Sequence, residues 1–301
     1  MLISEEQLTT WSHQGAIQSS ASTYESIKNC IESINWKEDV NYDTYLQGSY
    51  RNSTNIRGNS DVDVVIEFTS VFYSNKDQLP PLQLKEFNEY HSPGKYKLEQ
   101  FKQSVLNGLI KSFGETNVSE GNKSIKVKGT NGRLDADVIC CTEYREYLSF
   151  SKMAPNNYVQ GITFWQKNDG HQIRNFPKQH YDNGVAKNKE AGTNYRATTR
   201  IIKNMKARLV EMGRIDRTLA PSYYVESMLF NVPSGNYNQE NYQDIVGLIL
   251  HYLSTQVNTG QLSRFICQNE CRYLFSGNDP HWDEQQCITF IQQLNRLFNE
   301  G

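Results

Sequence analysis

Apolar and polar positions alternate most strictly over Asp61-Val62-Asp63-Val64-Val65-Ile66-Glu67-Phe68. The pattern predicts a strand over 60–68, with Val62, Val64, Ile66 and Phe68 on one face and both aspartates on the other. Residues 133–140 (RLDADVIC) repeat it, with Asp135 and Asp137 on one face and Leu134, Ala136 and Val138 on the other. Residues 123–128 (KSIKVK) precede that run, and the intervening Asn131-Gly132 predicts a hairpin. A second hairpin is predicted over 161–176 about Asp169-Gly170, and a further strand over 44–50, joined to 60–68 by a polar loop carrying Arg51 and Arg57.

Elsewhere the spacing is helical. Tyr24, Ile27, Ile31 and Ile34 predict a helix over 22–36, with Ser22 to Glu25 as a capping box. Leu98, Phe101, Val105, Leu109 and Phe113 predict another, ended by Gly114. Ile201, Ile202, Met205 and Leu209 share a helix face, while Arg196, Arg200 and Lys203 form a basic stripe on another. Pro221 to Glu226 opens a helix, Tyr242 to Leu253 makes one more, and Asp283 caps the last, which carries Cys287, Phe290, Ile291, Leu294 and Leu297. The polar stretch 71–96, with Pro80-Pro81 and Pro93-Gly94, reads as an insertion or a mobile loop. Strands first and helices after imply an α+β fold, divided into 1–175 and 176–301.

Composition narrows the function classes. A formal net charge of −2 over 301 residues argues against a protein that coats nucleic acid. No apolar run is long enough for a membrane span, and the start MLISEEQLTT has no signal-peptide pattern. Cys30, Cys140, Cys141, Cys267, Cys271 and Cys287 are scattered, without the spacing of a disulfide framework or a zinc site. A cytoplasmic protein with reduced thiols is expected, and His171 and His180 do not stand at metal-ligand spacing either.

The candidate chemistry lies in the aspartates. Carboxylates gathered on one strand face repel each other, and a divalent cation relieves them. Their hard oxygens suit Mg²⁺ or Mn²⁺, bound together with substrate phosphates. Separated from Asp61 by an eleven-residue interval, the pair Gly48-Ser49 offers backbone N–H groups and a hydroxyl that could cradle a triphosphate beside that metal. Arg51 and Arg57 are further candidates for phosphate contact. Lys203, with Arg200 as a companion, could reach the triphosphate as a point charge. Ser222 stands at a helix start where a phosphate could be met, and Tyr223 or Tyr224 could stack on a base.

Gly-Ser, an interval of about ten residues and Asp-x-Asp on a strand resemble the signature of the polymerase-β-like nucleotidyltransferases. That signature requires a third carboxylate from a later strand. Asp137-Val138-Ile139-Cys140 fits its register, with Cys where relatives often carry Pro, and Asp135 is the alternate. The stretches RLDADVICCTEYREY, PKQHYDNGVAKN, RATTRIIKNMK and PSYYVESMLFNVP narrow the resemblance to the bacterial cGAS/DncV-like nucleotidyltransferases of anti-phage signalling, over about residues 20–235. The resemblance implies a mixed-sheet nucleotidyltransferase core and a helical C-terminal half that completes the nucleotide pocket. It implies catalysis with two Mg²⁺ or Mn²⁺ ions held by Asp61, Asp63 and Asp137, the triphosphate being held by Gly48, Ser49 and Lys203. Nucleoside triphosphates, ATP among them, would be joined into a cyclic di- or trinucleotide messenger with release of pyrophosphate. It further implies a messenger-activated effector protein and, at the terminal Gly301, ligation by a ubiquitin-transfer-like enzyme; a nucleic-acid activator is left open. Two other classes fit the same residues: a nucleotidyltransferase acting on an RNA end or a small molecule, told apart by its acceptor, and a non-catalytic nucleotide- or RNA-binding module, which has no need of a carboxylate cluster.

Overall fold

The computed structural model describes residues 2–15, 17–56, 61–130, 132–275 and 282–300. The chain divides into two compact units, and neither is contiguous. One comprises Gln18–Gln47 and Asp61–Pro177; the other comprises Met1–Ile17, Gly48–Ser60 and Lys178–Gly301. A single cut near residue 175 therefore misses two N-terminal segments that belong with the C-terminal half.

The first unit is built on a seven-stranded mixed sheet. Its strands are β1 (Tyr42–Leu46), β2 (Val62–Asn75), β3 (Val118–Glu120), β4 (Ile125–Val127), β5 (Ala136–Tyr147), β6 (Tyr158–Trp165) and β7 (Gln172–Asn175). β5 is the hub. It runs parallel to β2 along its length, while β4 pairs antiparallel with its first residues and β6 with its last. β1 completes the edge beyond β2. Val62, Val64, Ile66 and Phe68 are all fully buried, as the alternation predicts. Phe68 stacks on Phe101 of α5 (Leu98–Phe113) at 4.8 Å, and Phe101 stacks in turn on Trp36 at 5.0 Å. Gly114 ends α5 at φ +88°, a backbone state that glycine enters at little cost.

The second unit is helical: α1 (Glu5–Ser12), the short α3 (Gly48–Asn52), α6 (Pro177–Glu190), α7 (Asn194–Glu211), α8 (Ser222–Phe230), α9 (Tyr242–Asn258) and α10 (Glu284–Glu300). One core joins Leu8 to Ile201, Ile202, Met205 and Leu209 of α7, Met228 of α8, Ile249 and Leu253 of α9, and Phe290, Ile291 and Leu294 of α10. Asp283 caps α10, its Oδ1 accepting from the Gln286 amide at 2.6 Å. The Glu5 carboxylate accepts from the first amides of α9, Tyr242 at 2.9 Å and Gln243 at 2.8 Å. A negative charge there also meets the positive end of the helix dipole.

Three local expectations change. The N-terminal helix α2 runs over Ile17–Glu32, so Ser22 lies inside it and is no cap. Its inner face begins with Ser20 and Thr23, both buried, which an apolar pattern does not register. The predicted strand 44–50 stops at Leu46, because Gly48 at φ +65° turns the chain into α3. Residues 71–96 are no loop: β2 continues to Asn75 and α4 (Pro81–Tyr90) follows, with Phe87 in a small cluster with Leu79, Tyr147 and Phe150. Cys267 and Cys271 flank a turn at Glu270 (φ +58°), and all six cysteines are free thiols. The hairpin residue Asn131, Arg57 and Gly301 lie outside the described residues.

Candidate active site

In the sheet unit, β2 and β5 carry the carboxylates. Their parallel register makes Asp63 and Asp137 direct partners, on strands about 5 Å apart, with side chains on the same face. Asp61 precedes β2 by one residue and is exposed. Asp137 is three-quarters covered; its Oδ1 accepts from the Ser124 hydroxyl at 2.8 Å and lies 3.9 Å from Lys126 Nζ. Asp135 behaves differently. It stands before β5, and its Oδ1 accepts from the Gly129 amide at 2.6 Å, closing its own hairpin. The register therefore pairs Asp63 with Asp137 and leaves Asp135 one step outside the strand.

Further along the aspartate face, Glu67 is buried and accepts from the Tyr45 hydroxyl at 2.7 Å. Burial, then the neighbouring Cys141 and Glu67, push the Tyr45 phenol far above its usual range. Among the described residues, no group of three His, Cys, Asp or Glu side chains stands as a ready cation cage. The donor chemistry nevertheless suits a hard divalent cation, since the paired groups are carboxylates in register on one face.

The Gly48-Ser49 segment belongs to the helical unit. Thr54 N donates to the Ser49 carbonyl at 2.9 Å, folding the chain back after α3. The residues that follow the pair are gripped by one buried carboxylate, Glu226 of α8. It accepts from Asn52 Nδ2 at 2.9 Å and Thr54 Oγ1 at 2.6 Å, pairs with Lys203 Nζ at 2.5 Å, and meets His180 Nε2 at 2.9 Å. Lys203 also donates to the Thr54 carbonyl at 3.2 Å. Burial acts on the Glu226 carboxyl to raise its pKa, but the Lys203 charge and the His180 hydrogen bond outweigh it and hold the group well below the usual carboxylate range.

This corrects the expectation for Lys203. Its side chain is only 5 % exposed, and its ammonium is engaged by Glu226 and Thr54, so it does not extend from a solvated stripe toward a phosphate. Arg200 is likewise turned inward, donating to the carbonyls of Ser12 and Ser53. Arg51 packs its guanidinium over the Tyr181 ring at 4.1 Å. Ser222 is exposed as the first residue of α8. Tyr223 stacks on His180 at 5.1 Å, and its hydroxyl accepts from Asn269 Nδ2 at 3.0 Å.

Sequence reasoning missed Glu226 as a hub. A signal was present: a lone glutamate in the apolar run Val225-Glu226-Ser227-Met228-Leu229, with Lys203 four residues after the buried Thr199.

Comparison with known proteins bears on both units. Residues 27–115 match the nucleotidyltransferase domain, and residues 182–299 match the cGAS/DncV-like nucleotidyltransferase C-terminal helical domain. Cyclic nucleotide synthase CdnE01 of Staphylococcus haemolyticus is 38 % identical over 100 % of both chains. The structure of the Rhodothermus marinus CdnE c-UMP-AMP synthase with Apcpp and Upnpp superposes with a TM-score of 0.88 at 35 % identity, covering 99 % of this chain and 97 % of that one. The Elizabethkingia meningoseptica CdnE cyclic dinucleotide synthase with GTP and Apcpp gives 0.79 at 27 % identity, covering 98 % and 99 %. No described helix is long and apolar enough to cross a membrane.

Proposed function

The chain belongs to the cGAS/DncV-like nucleotidyltransferases, and from that premise we propose that it joins nucleoside triphosphates into a cyclic di- or trinucleotide messenger, read by an effector protein in anti-phage signalling. The observation that carries the reading is the pairing of Asp63 with Asp137. Like charges directly opposite on adjacent strands destabilise a sheet, and a fold that keeps them has a use for the negative charge.

In this reading Asp61, Asp63 and Asp137 hold the divalent cations, Mg²⁺ or Mn²⁺, two per active site. When bound, such ions activate a ribose hydroxyl and neutralise the departing pyrophosphate. The hydroxyl oxygen forms a bond to the α-phosphorus of a second nucleotide and loses its proton, while the bond to the β-phosphate oxygen breaks. Repeating the step within the linear product closes the ring. Gly48, Ser49 and Ser222 receive the triphosphate, with Gly48 at φ +65° supplying the backbone turn that opens α3. Tyr223 contributes an aromatic edge for the base. Lys203 acts at one remove: it fixes Glu226, which fixes Asn52 and Thr54 just after the Gly-Ser pair. Catalysis is then chiefly positioning and charge neutralisation.

The test is incubation with all four labelled nucleoside triphosphates and Mg²⁺ or Mn²⁺, phosphatase treatment and mass spectrometry, with Asp61→Ala/Asp63→Ala as control. A phosphatase-resistant product that the variant does not make supports the proposal and names the bases. A product carrying a non-nucleotide acceptor, or no product together with no metal-dependent triphosphate binding, overturns it.

A further inference from the structure

One row of side chains crosses three strands of the sheet: Lys126 on β4 stands opposite Asp137 on β5 in antiparallel register, and Asp137 stands opposite Asp63 on β2 in parallel register. Ser124, two residues before Lys126, lies on the same face. The two β4-side residues meet Asp137 differently. Ser124 is 9 % exposed and donates its hydroxyl to Oδ1 at 2.8 Å. Lys126 is 59 % exposed and brings Nζ to 3.9 Å from the same oxygen. Both contacts fall on Oδ1 and neither on Oδ2.

We propose that Ser124 and Lys126 are positioning residues for the third carboxylate: Ser124 fixes Oδ1 so that Oδ2 is presented to a divalent cation, and Lys126 supplies a resident positive charge that the arriving cation displaces. The inference rests on Asp137 being a cation ligand, as proposed above. The difference in burial divides the roles. A buried hydroxyl has little rotamer freedom, and this one donates to Oδ1, so it holds the carboxylate plane. An exposed ammonium at 3.9 Å is weakly bound and screened by salt, so it yields to a doubly charged ion that ligates the carboxylate directly. Lys126 offsets part of the Asp137 charge while no cation is bound. That offset comes at the cost of some cation affinity.

Direct Mn²⁺ binding tests this without turnover, by electron paramagnetic resonance of free Mn²⁺ with and without a non-hydrolysable ATP analogue. Loss of an orienting partner of a metal ligand costs about tenfold or more in affinity. Ser124→Ala should therefore weaken Mn²⁺ binding about tenfold and lower kcat with little change in KM for nucleotide, and Ser124→Thr, which keeps the hydroxyl, should restore both. Lys126→Gln, on an exposed side chain, should tighten Mn²⁺ several-fold at low ionic strength, an effect that fades as salt is raised. Wild-type Mn²⁺ affinity in Ser124→Ala and Lys126→Gln, with binding lost in Asp137→Asn, would overturn this inference and leave the Asp137 assignment standing. Undiminished Mn²⁺ binding in Asp137→Asn would overturn that assignment and this inference with it.

Discussion

Asp63 and Asp137 are nearest neighbours across a parallel strand pair, although 74 positions separate them in sequence. Neither Asp63→Asn nor Asp137→Asn should unfold the protein. Each removes one of two like charges, so thermal stability should hold or rise by about 0.2–1 kcal/mol. Cyclic product should fall about a thousandfold or more, because several kcal/mol of charge stabilisation at the reacting phosphate is lost. Melting curves and product yield on the same preparations check both halves.

Glu226 supports a different expectation. Removing one partner of a buried ion pair leaves the other uncompensated, so Lys203→Met and Glu226→Ala should each cost about 3–5 kcal/mol in urea unfolding. The double variant Lys203→Met/Glu226→Ala should lose less than the sum of its single changes, with a coupling of about 1–3 kcal/mol. Strict additivity would show that the two side chains do not act as a pair.

The depressed Glu226 pKa fixes the sign of a pH effect. The unfolded chain takes up the proton near the ordinary value of 4.5, while the folded chain stays ionised to lower pH. The unfolded state thus binds more protons in that window, and stability falls with falling pH. The stability gap between wild type and Glu226→Gln should be constant from about pH 7 to 5 and shrink below about 4.5. A gap that persists unchanged to about pH 3 would contradict the ion pair as the source of the shift.

Gly48→Ala probes the turn before α3. At φ +65° a Cβ costs about 1–2 kcal/mol, and the backbone around Ser49 would shift to avoid it. Melting should drop by only a few degrees, whereas KM for nucleoside triphosphate should rise at least about tenfold if the turn receives the triphosphate. Equal KM values in the two proteins would move the triphosphate away from Gly48 and Ser49.

The sheet was legible because its signal is local. Alternation over 61–68 and 133–140 reports which face of each strand is buried, and the spacing of acids within those runs puts Asp63 and Asp137 on the polar side. Their pairing was not legible from periodicity. It depends on the parallel register of two distant strands and was supplied by resemblance to a known signature. The Glu226 hub escaped for a related reason. A helical wheel sorts lysine outward by its charge, and only the partner on another helix reverses that for Lys203. The division into units escaped because composition marks the stretch after Gly48 only as a polar connection between strands, whereas its place with α7 and α8 is set by tertiary contacts of Asn52 and Thr54 with Glu226 and of Ser53 with Arg200.

The interleaving of the two units sets the order in which this chain can be completed during synthesis. Ile3 gives its amide to the carbonyl of Phe298, and Glu5 holds the start of α9 across more than 230 residues. A ribosome making the protein from its N-terminus thus releases Ile3, Glu5 and Leu8 long before the helices that receive them exist. The sheet unit has all its strands once Asn175 emerges, while the helical unit stays open until α10 is free of the exit tunnel. A chain interrupted before α10 therefore carries every aspartate of the proposed cation site and still lacks the finished framework that holds Gly48 and Ser49.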